Sequence, residues 1–264
     1  NPELYEEFNH QHSSLIGTHF FGLLFLWLLA VFLSLWGLGD VPLRDFDEGT
    51  VARVAYEISN KSGLDKLLPT IWGGQYLNKP PGIHWLIASV INLNSNHLSF
   101  NNFLPSEFSI RLIPALLSSL VVPLGGLIQW KLIPKDRIAS LSTSLILLTL
   151  LPLARHGRLA MLDGTQLSSI AFLWFLLLSF DKSAQDRFRS FFVGLSCSVM
   201  LLLKAPLLIP TLLAALIPIY FQKKLEIYIR YRNLSWFLIG LLPGCFWHIW
   251  NFWHRGLGAL WLWW

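Results

Sequence analysis

The sequence contains few charged residues and many apolar ones. Of its 264 residues, 13% are charged and 54% are hydrophobic, and the mean hydropathy is +0.52. Because a soluble domain carries about 25% charged residues, this composition leaves too little polar surface for a soluble globule. The 13 Trp and 19 Phe agree, since aromatic rings gather at membrane interfaces. The composition therefore predicts a multi-pass membrane protein.

Cysteine is scarce as well. Cys197 and Cys245 both lie in apolar stretches, where a thiol behaves as a small hydrophobic side chain. The sequence therefore predicts neither a disulfide nor a cysteine metal site. The eight histidines show no HExxH or other ligand spacing, so a metal site built from them is not expected. The sequence leaves open whether a divalent cation takes part as a cofactor.

Other functional patterns are missing too. The chain has no glycine loop that would cradle a phosphate, no nucleophile elbow and no soluble nucleotide-sugar fold. A formal charge of +5 and a pI near 9.3 would suit a nucleic-acid binder, but the Lys and Arg residues lie singly or in short clusters between apolar runs. Basic residues placed in this way belong to the loops between helices and do not form a phosphate-binding surface, so no nucleic-acid partner is expected.

Seven apolar runs are long enough, alone or with flanking residues, to cross a membrane as helices. They cover residues 19–38, 110–130, 138–154, 165–180, 191–203, 207–221 and 236–253. The sequence thus predicts an all-α polytopic membrane protein with about seven transmembrane helices. Another run, Gly82–Leu93, has about half the spanning length and is expected to lie in the interface or to re-enter.

The Lys and Arg residues favour one orientation of these spans. With the N-terminus inside, most of them fall in internal loops, and the short external connections hold only Arg155, Arg158 and Lys204. Residues 39–109 then form a long first external loop, with a surface helix over 48–61 and a Lys-Pro-Pro segment. Residues 1–264 are expected to be the N-terminal transmembrane catalytic module of a longer chain, placed in the plasma (inner) membrane.

An acidic cluster follows the first span at residues 44–48. Asp45 with Glu48 resembles a capping box, which would make the cluster the start of the surface helix. Alternatively, Asp47, held at the membrane face, acts as a general base or coordinates an acceptor. Both interpretations stay open, because different residues of the cluster can fill the two roles.

Further ionisable residues stand at the ends of apolar segments on the same predicted side. Lys79 and Lys204 either snorkel to the interface or provide cations for a phosphate at headgroup depth. Asp163 either caps the fourth span or shares a site with the acidic cluster. Arg155 and Arg158 run against the positive-inside rule, which makes their loop a candidate for function.

The order of these features resembles the polyprenyl-phosphate-sugar glycosyltransferases of the C superfamily, of the aminoarabinose transferase and protein O-mannosyltransferase type. The features are a first span, Asp-Glu at the start of a surface helix, Lys-Pro-Pro before an interfacial segment, Leu-Asp at the fourth span and Lys before a Pro-containing span. The resemblance covers residues 44–210. Each motif is short, but their order and spacing together are specific.

The resemblance implies roles for individual residues. Asp47 matches the family's first-loop aspartate, which acts as the acceptor base or positions the acceptor, and Asp163 matches the second-loop aspartate. Lys79 matches the lysine near the lipid phosphate, and Lys204 matches the lysine of the turn before the Pro-containing span. Arg158 is expected to join the two lysines in binding the donor phosphate.

The chain departs from the family pattern at two places. Thr50 and Val51 stand where many relatives have Arg-Tyr, and Asn78 stands where an acidic residue often precedes the lysine. The identity of the acceptor and the use of a metal therefore stay open.

Together these features predict an inverting glycosyltransferase that moves a sugar from a polyprenyl-phosphate donor to an acceptor hydroxyl of a lipid, glycan or protein. The expected partners are the donor lipid and the bilayer. The alternative is a transporter or flippase for a lipid or anionic solute, which predicts polar residues near the span centres, whereas the charges here cluster at one face. A third option, a noncatalytic membrane scaffold, would have replaceable surface charges.

Overall fold

The structure, a computed structural model, describes residues 2–44, 46–95, 105–134, 136–179, 186–221 and 231–263. Regular structure in these ranges is helical apart from one short hairpin. In chain order the α-helices are α1 (Pro2–Leu35), α2 (Asp47–Ser59), α3 (Gly82–Ser95), α4 (Glu107–Ser119), α5 (Val121–Leu132), α6 (Arg137–Thr149), α7 (Leu151–His156), α8 (Leu162–Leu178), α9 (Asp186–Lys204), α10 (Leu208–Phe221) and α11 (Tyr231–Arg255). Short 3₁₀ helices cover Gly63–Leu67, Ala205–Leu207 and Gly256–Trp263, and the hairpin pairs β1 (Thr70–Ile71) with β2 (Gly74–Gln75).

The architecture is that of the expected all-α membrane protein. Among the described residues, three helical segments are long and apolar enough to cross a membrane: Gly17–Leu35, Glu107–Leu132 and Arg187–Phe221. Shorter apolar helices cover Gly82–Leu93, Arg137–Thr149 and Leu162–Leu178. The number of seven crossings stays a prediction, because α6 and α8 are shorter than the about 20 residues that a span needs.

Helices α9 and α10 fold back on each other. The backbone of Lys204 leaves the helical region (φ −142°, ψ 86°), and the 3₁₀ turn Ala205–Leu207 follows it. Ile219, near the end of α10, then joins one apolar cluster with Val193, near the start of α9. The predicted spans 191–203 and 207–221 are therefore the two arms of a helical hairpin, and Lys204 stands at the bend.

Glycines let α11 pack directly on the backbone of α9. A Cβ on Gly194 would collide with the carbonyl oxygen of Phe237, and a Cβ on Gly240 would collide with that of Phe191. Helices in lipid depend on such close packing, because lipid removes the hydrophobic drive for helices to associate. The contact holds α9 in place and with it the bend at Lys204.

The predicted surface helix is α2, which packs on α3 and α4. Its buried apolar residues recur at helical spacing and are Val51, Ala52, Val54, Ala55 and Ile58. Three of them form a cluster with Ile83 and Ile87 of α3 and Ile110 of α4. The segment between the first two long apolar runs is therefore a packed unit, whose core supports the first turn of α2.

The hairpin between α2 and α3 is not anticipated by any of the sequence patterns. Trp72 and Gly73 form its turn with φ of 53° and 75°, which matches the left-handed turns that join tight hairpins. The Glu57 carboxylate accepts hydrogen bonds from the backbone N–H groups of Trp72 (2.6 Å) and Gly73 (3.4 Å), and the Arg53 guanidinium lies 4.1 Å from the Trp72 ring centroid. These contacts attach the hairpin to α2.

Candidate functional site

Four of the five predicted site residues lie together. Asp47, Lys79 and Asp163 line a cleft of about 50 Å³. Lys204 joins them, because its Nζ forms an ion pair with the Asp163 carboxylate. The four side chains come from the start of α2, the turn before α3, the start of α8 and the end of α9. Their meeting depends on tertiary packing rather than on any single motif.

Neither aspartate occupies the capping position of its helix. Phe46 is the N-cap residue of α2 and Met161 that of α8, and neither makes a side-chain capping bond. Asp47 is exposed in the first turn, and the Asp163 side chain, 51% exposed, accepts from Lys204. The capping role proposed for Asp45 falls outside the described residues.

The charges of the cleft act on Lys79. Burial lowers the pKa of this half-buried lysine, the nearby Lys204 lowers it further, and the carboxylates of Asp163 and Asp47 oppose the shift. An additional anion would stabilise the charged form of such a lysine, because a nearby opposite charge favours the ammonium. The cleft is thus suited to a small anion that touches both lysines.

Gly82 allows the Lys79 turn to approach α9. A Cβ at Gly82, the first residue of α3, would lie 2.7 Å from the carbonyl oxygen of Leu202. Leu202 is two residues before Lys204, so this contact sets the spacing of the two lysines. A side chain of any size would separate α3 from α9 at this point.

Replacement of Gly82 by Ala should destabilise the protein by about 1–3 kcal/mol, because the new methyl group meets backbone that has no room to give. The matched control is Gly17→Ala in α1, where an added Cβ meets nothing within 4 Å; it should be neutral or slightly stabilising. Thermal unfolding of both variants in the same detergent tests this. Equal midpoints for Gly82→Ala and the wild type would show that the α3–α9 contact is loose.

A buried ion pair joins the segments that carry the two aspartates. Glu48 is fully buried and accepts from Arg111 Nε (2.7 Å) and Nη2 (2.8 Å), from the backbone N–H of Ala160 (2.8 Å) and from that of Arg44 (3.0 Å). Burial raises the pKa of Glu48, but these hydrogen bonds outweigh it and hold the pKa below its ordinary value. Asp47 is adjacent to Glu48, and Asp163 is three residues after Ala160. The pair therefore positions both.

Sequence reasoning missed this ion pair, although a signal was present. Arg111 lies inside the apolar run 110–130, and a charge within a predicted span requires a partner. Its guanidinium also donates to the carbonyl oxygens of Leu38 (3.0 Å), Val41 (2.6 Å) and Pro42 (2.9 Å). Glu48 was considered only as part of a capping box, but its carboxylate ties α2 to α4.

The structure does not bring Arg158 to the cleft. Its Nε donates to the carbonyl oxygen of Ser34 (3.1 Å) and its Nη2 to that of Trp36. These carbonyls belong to the end of α1, where a cation is favourable. Arg158 lines a different cavity.

Tyr76 lines the cleft, and His84 packs against it. Both are buried, and their rings meet edge to face with centroids 5.4 Å apart. Burial raises the pKa of Tyr76 to about 12 and lowers that of His84 to about 3, so both are neutral at pH 7. Arg255, at the end of α11, donates to the carbonyl oxygens of Tyr76 (2.7 Å) and Pro69 (2.5 Å). The last long helix thus helps hold the segment that leads to Lys79.

An apolar groove of about 680 Å³ begins beside the cleft. Its lining includes Gly82, three residues after Lys79, Thr165, two residues after Asp163, and Leu203, which precedes Lys204. From there it runs along α5, α8 and α9. Ligand pockets span about 300–1,000 Å³, so the groove has room for a substantial apolar chain.

The carboxylates of Asp47 and Asp163 are the groups of the cleft that could contact a metal together with a substrate. Within the described ranges, no three His, Cys, Asp or Glu side chains form a group suited to a metal ion. A metal here would need ligands from the substrate as well.

Comparison with solved structures finds a likeness to the crystal structure of ArnT from Cupriavidus metallidurans bound to undecaprenyl phosphate. The TM-score is 0.72 at 17% sequence identity. No family model and no curated protein matches the sequence. The likeness covers 90% of this chain but 43% of ArnT, so the chain spans less than half the length of that protein. At this identity the comparison shows a shared fold and nothing beyond it.

Proposed function

We propose that the protein is an inverting glycosyltransferase that moves a sugar from a polyprenyl-phosphate donor to an acceptor hydroxyl at the extracytoplasmic face of the plasma membrane. One observation carries the proposal: two lysines and two aspartates from four chain segments meet beside an apolar groove. A polyprenyl-phosphate sugar has the matching parts, with an anionic phosphate between a long apolar tail and a polar sugar. ArnT, which shares the fold, was crystallised with undecaprenyl phosphate.

Lys79 and Lys204 would hold the phosphate. An anion between them relieves the repulsion that lowers the pKa of Lys79, and hydrogen bonds between ammonium and phosphate are among the stronger ones in proteins. The negative charge of the phosphate grows as it departs, so these contacts strengthen in the transition state. The apolar groove would hold the first isoprene units of the tail.

Asp47 would act on the acceptor. The acceptor hydroxyl oxygen attacks the anomeric carbon on the side opposite the phosphate, and Asp47 takes the hydroxyl proton. The bond between the anomeric carbon and the phosphate oxygen breaks, and its electron pair leaves with the polyprenyl phosphate. The configuration at the anomeric carbon is inverted, and the spent lipid stays in the bilayer.

Asp163 acts through Lys204 in this proposal. The ion pair between them orients the lysine at the bend of the α9–α10 hairpin, so Asp163 is a positioning residue rather than the base. The sequence predicts two catalytic residues, Asp47 and Asp163, whereas this proposal assigns the role of base to Asp47 alone. Arg158 is left out of the proposed phosphate site, because it donates to the end of α1 and does not line the cleft.

Replacement of Lys79 by Ala should weaken the binding of undecaprenyl phosphate by about tenfold or more, since hydrogen bonds to charged groups contribute about 1.5–3 kcal/mol. Lys79→Arg should recover only part of the affinity, because a planar guanidinium does not replace a compact ammonium. Titration of the lipid into wild type and variants in the same micelles measures the effect.

The controls separate phosphate binding from binding of the tail. Undecaprenol, which lacks the phosphate, should bind wild type and Lys79→Ala equally. Lys66→Ala, in the 3₁₀ turn of the same segment, should leave affinity for undecaprenyl phosphate unchanged. If Lys79→Ala binds undecaprenyl phosphate as tightly as the wild type, the lysine only snorkels and the proposed donor site is wrong.

A further inference from the structure

A second cavity, of about 260 Å³, is separate from the cleft and the groove and shares no lining residue with either. Its walls come from α1, the α4–α5 junction, the end of α6 and α7. The lining is largely apolar, with Leu33, Val122 and Leu147 among its residues. Arg158 contributes the charge. The volume is close to the about 300 Å³ lower end of ligand pockets, which suits part of an acyl chain.

The charged end of this cavity lies beside the end of α1, whose residues Gly17–Leu35 are long and apolar enough to cross a membrane. Trp36, just beyond the end of α1, is 69% exposed, and tryptophans in such positions gather at the membrane–water interface. The Trp36 carbonyl accepts a hydrogen bond from Arg158. Leu33, one helical turn before Trp36, is 47% exposed and lines the cavity. If α1 crosses the bilayer, the exposed Leu33 would face lipid beside the cavity and the arginine would lie near the headgroups.

The arginine at this mouth has no ion-pair partner among the described residues. Arg158 donates to two neutral carbonyl groups, and in the part of the chain that the structure describes no carboxylate forms an ion pair with it. Arg155, one turn earlier in α7, is exposed and basic as well. Two arginines beside an apolar cavity match an amphiphile with an anionic head, since Arg158 has five N–H donors and the two carbonyl groups use only two of them, which leaves three for phosphate oxygens.

We propose that this cavity binds an anionic phospholipid of the surrounding bilayer, with an acyl chain in the cavity and the phosphate on Arg158. Arg155 adds attraction at the mouth. This accounts for the two arginines that run against the positive-inside rule. The site is independent of the donor site, because it uses none of the residues of the cleft or the groove.

Native mass spectrometry of the full-length protein, with phosphatidylglycerol and phosphatidylcholine of identical chains, tests the proposal. The wild type should retain phosphatidylglycerol about tenfold better than phosphatidylcholine. Arg158→Gln should reduce this preference to near one. Ala154→Trp should do the same by filling the cavity while Arg158 stays in the chain, and an unchanged thermal midpoint separates this effect from loss of folding. Arg137→Gln, at a half-buried arginine that lies outside the cavity and donates to Thr18, should keep the preference.

Three results would overturn the proposal. Equal retention of the two lipids by the wild type would show that no anionic headgroup is preferred. An unchanged preference in both Arg158→Gln and Ala154→Trp would show that the lipid binds elsewhere. The third is displacement of phosphatidylglycerol by undecaprenyl phosphate at matching stoichiometry, which would assign Arg158 to the donor. Failure of undecaprenyl phosphate to bind at all would contradict the proposed function but leave the phospholipid site intact.

Discussion

Replacement of Asp47 by Asn should reduce sugar transfer by at least about 10²-fold without loss of folding. The side chain is exposed, and the N-cap position of α2 belongs to Phe46, so the carboxylate is not needed to cap the helix. Asn has nearly the same shape but cannot take a proton, and a lost general base costs about 10²–10⁴-fold in rate. Turnover of the lipid-linked donor and the thermal midpoint should be measured on the same preparation.

Asp65→Asn provides the matched control. Asp65 is exposed in the 3₁₀ turn Gly63–Leu67 of the same segment and lies outside the cleft, so its variant should keep wild-type turnover. If Asp47→Asn remains active, or if it fails only because the protein no longer accumulates, Asp47 is a structural residue and the proposed mechanism has no base.

Replacement of Arg111 by Leu should destabilise the protein by about 3–5 kcal/mol. Glu48 has no exposed surface, and removal of its partner leaves an uncompensated buried charge. The carbonyl groups of Leu38, Val41 and Pro42 lose their donors in the same step. The loss of stability is measured as the free energy of unfolding in a mild detergent. Sugar transfer should fall as well, because the ion pair positions Asp47 and Asp163.

The double variant Glu48→Leu/Arg111→Leu distinguishes a coupled pair from two independent contributions. When both charges are removed together, no unpaired charge stays buried, so the double variant should be more stable than Arg111→Leu alone. Additive losses in the two single variants and the double variant would show that the ion pair does not couple α2 to α4.

The helices and the starts of α2 and α8 follow from local signals in the sequence. Apolar runs predict helices wherever they are long enough. Acidic residues are typical of helix starts, which predicts first-turn positions for Asp47 and Asp163, and both lie there. The ordered motifs also predicted that four charged residues would share a site. The structure places Asp47, Lys79 and Asp163 in one cleft and pairs Lys204 with Asp163, but Arg158, which was predicted with them, lies elsewhere, and the site itself stays a proposal.

The features that the sequence did not predict depend on contacts between distant residues. Glu48 and Arg111 are 63 positions apart, and no local pattern pairs them. The hairpin turn places Trp72, rather than a glycine, at a positive φ, held by hydrogen bonds to Glu57. Arg158 was grouped with the two lysines because it lies on the same predicted side, but its hydrogen bonds to the end of α1 hold it elsewhere.

The most direct test follows a labelled sugar on a polyprenyl-phosphate donor in vesicles that contain the full-length protein. The proposal predicts that the wild type releases polyprenyl phosphate and forms a product whose anomeric configuration is opposite to that of the donor, and that Asp47→Asn releases none above background. Donor that crosses the bilayer but stays chemically intact, equally in wild type and Asp47→Asn, would identify a flippase and contradict the transferase assignment.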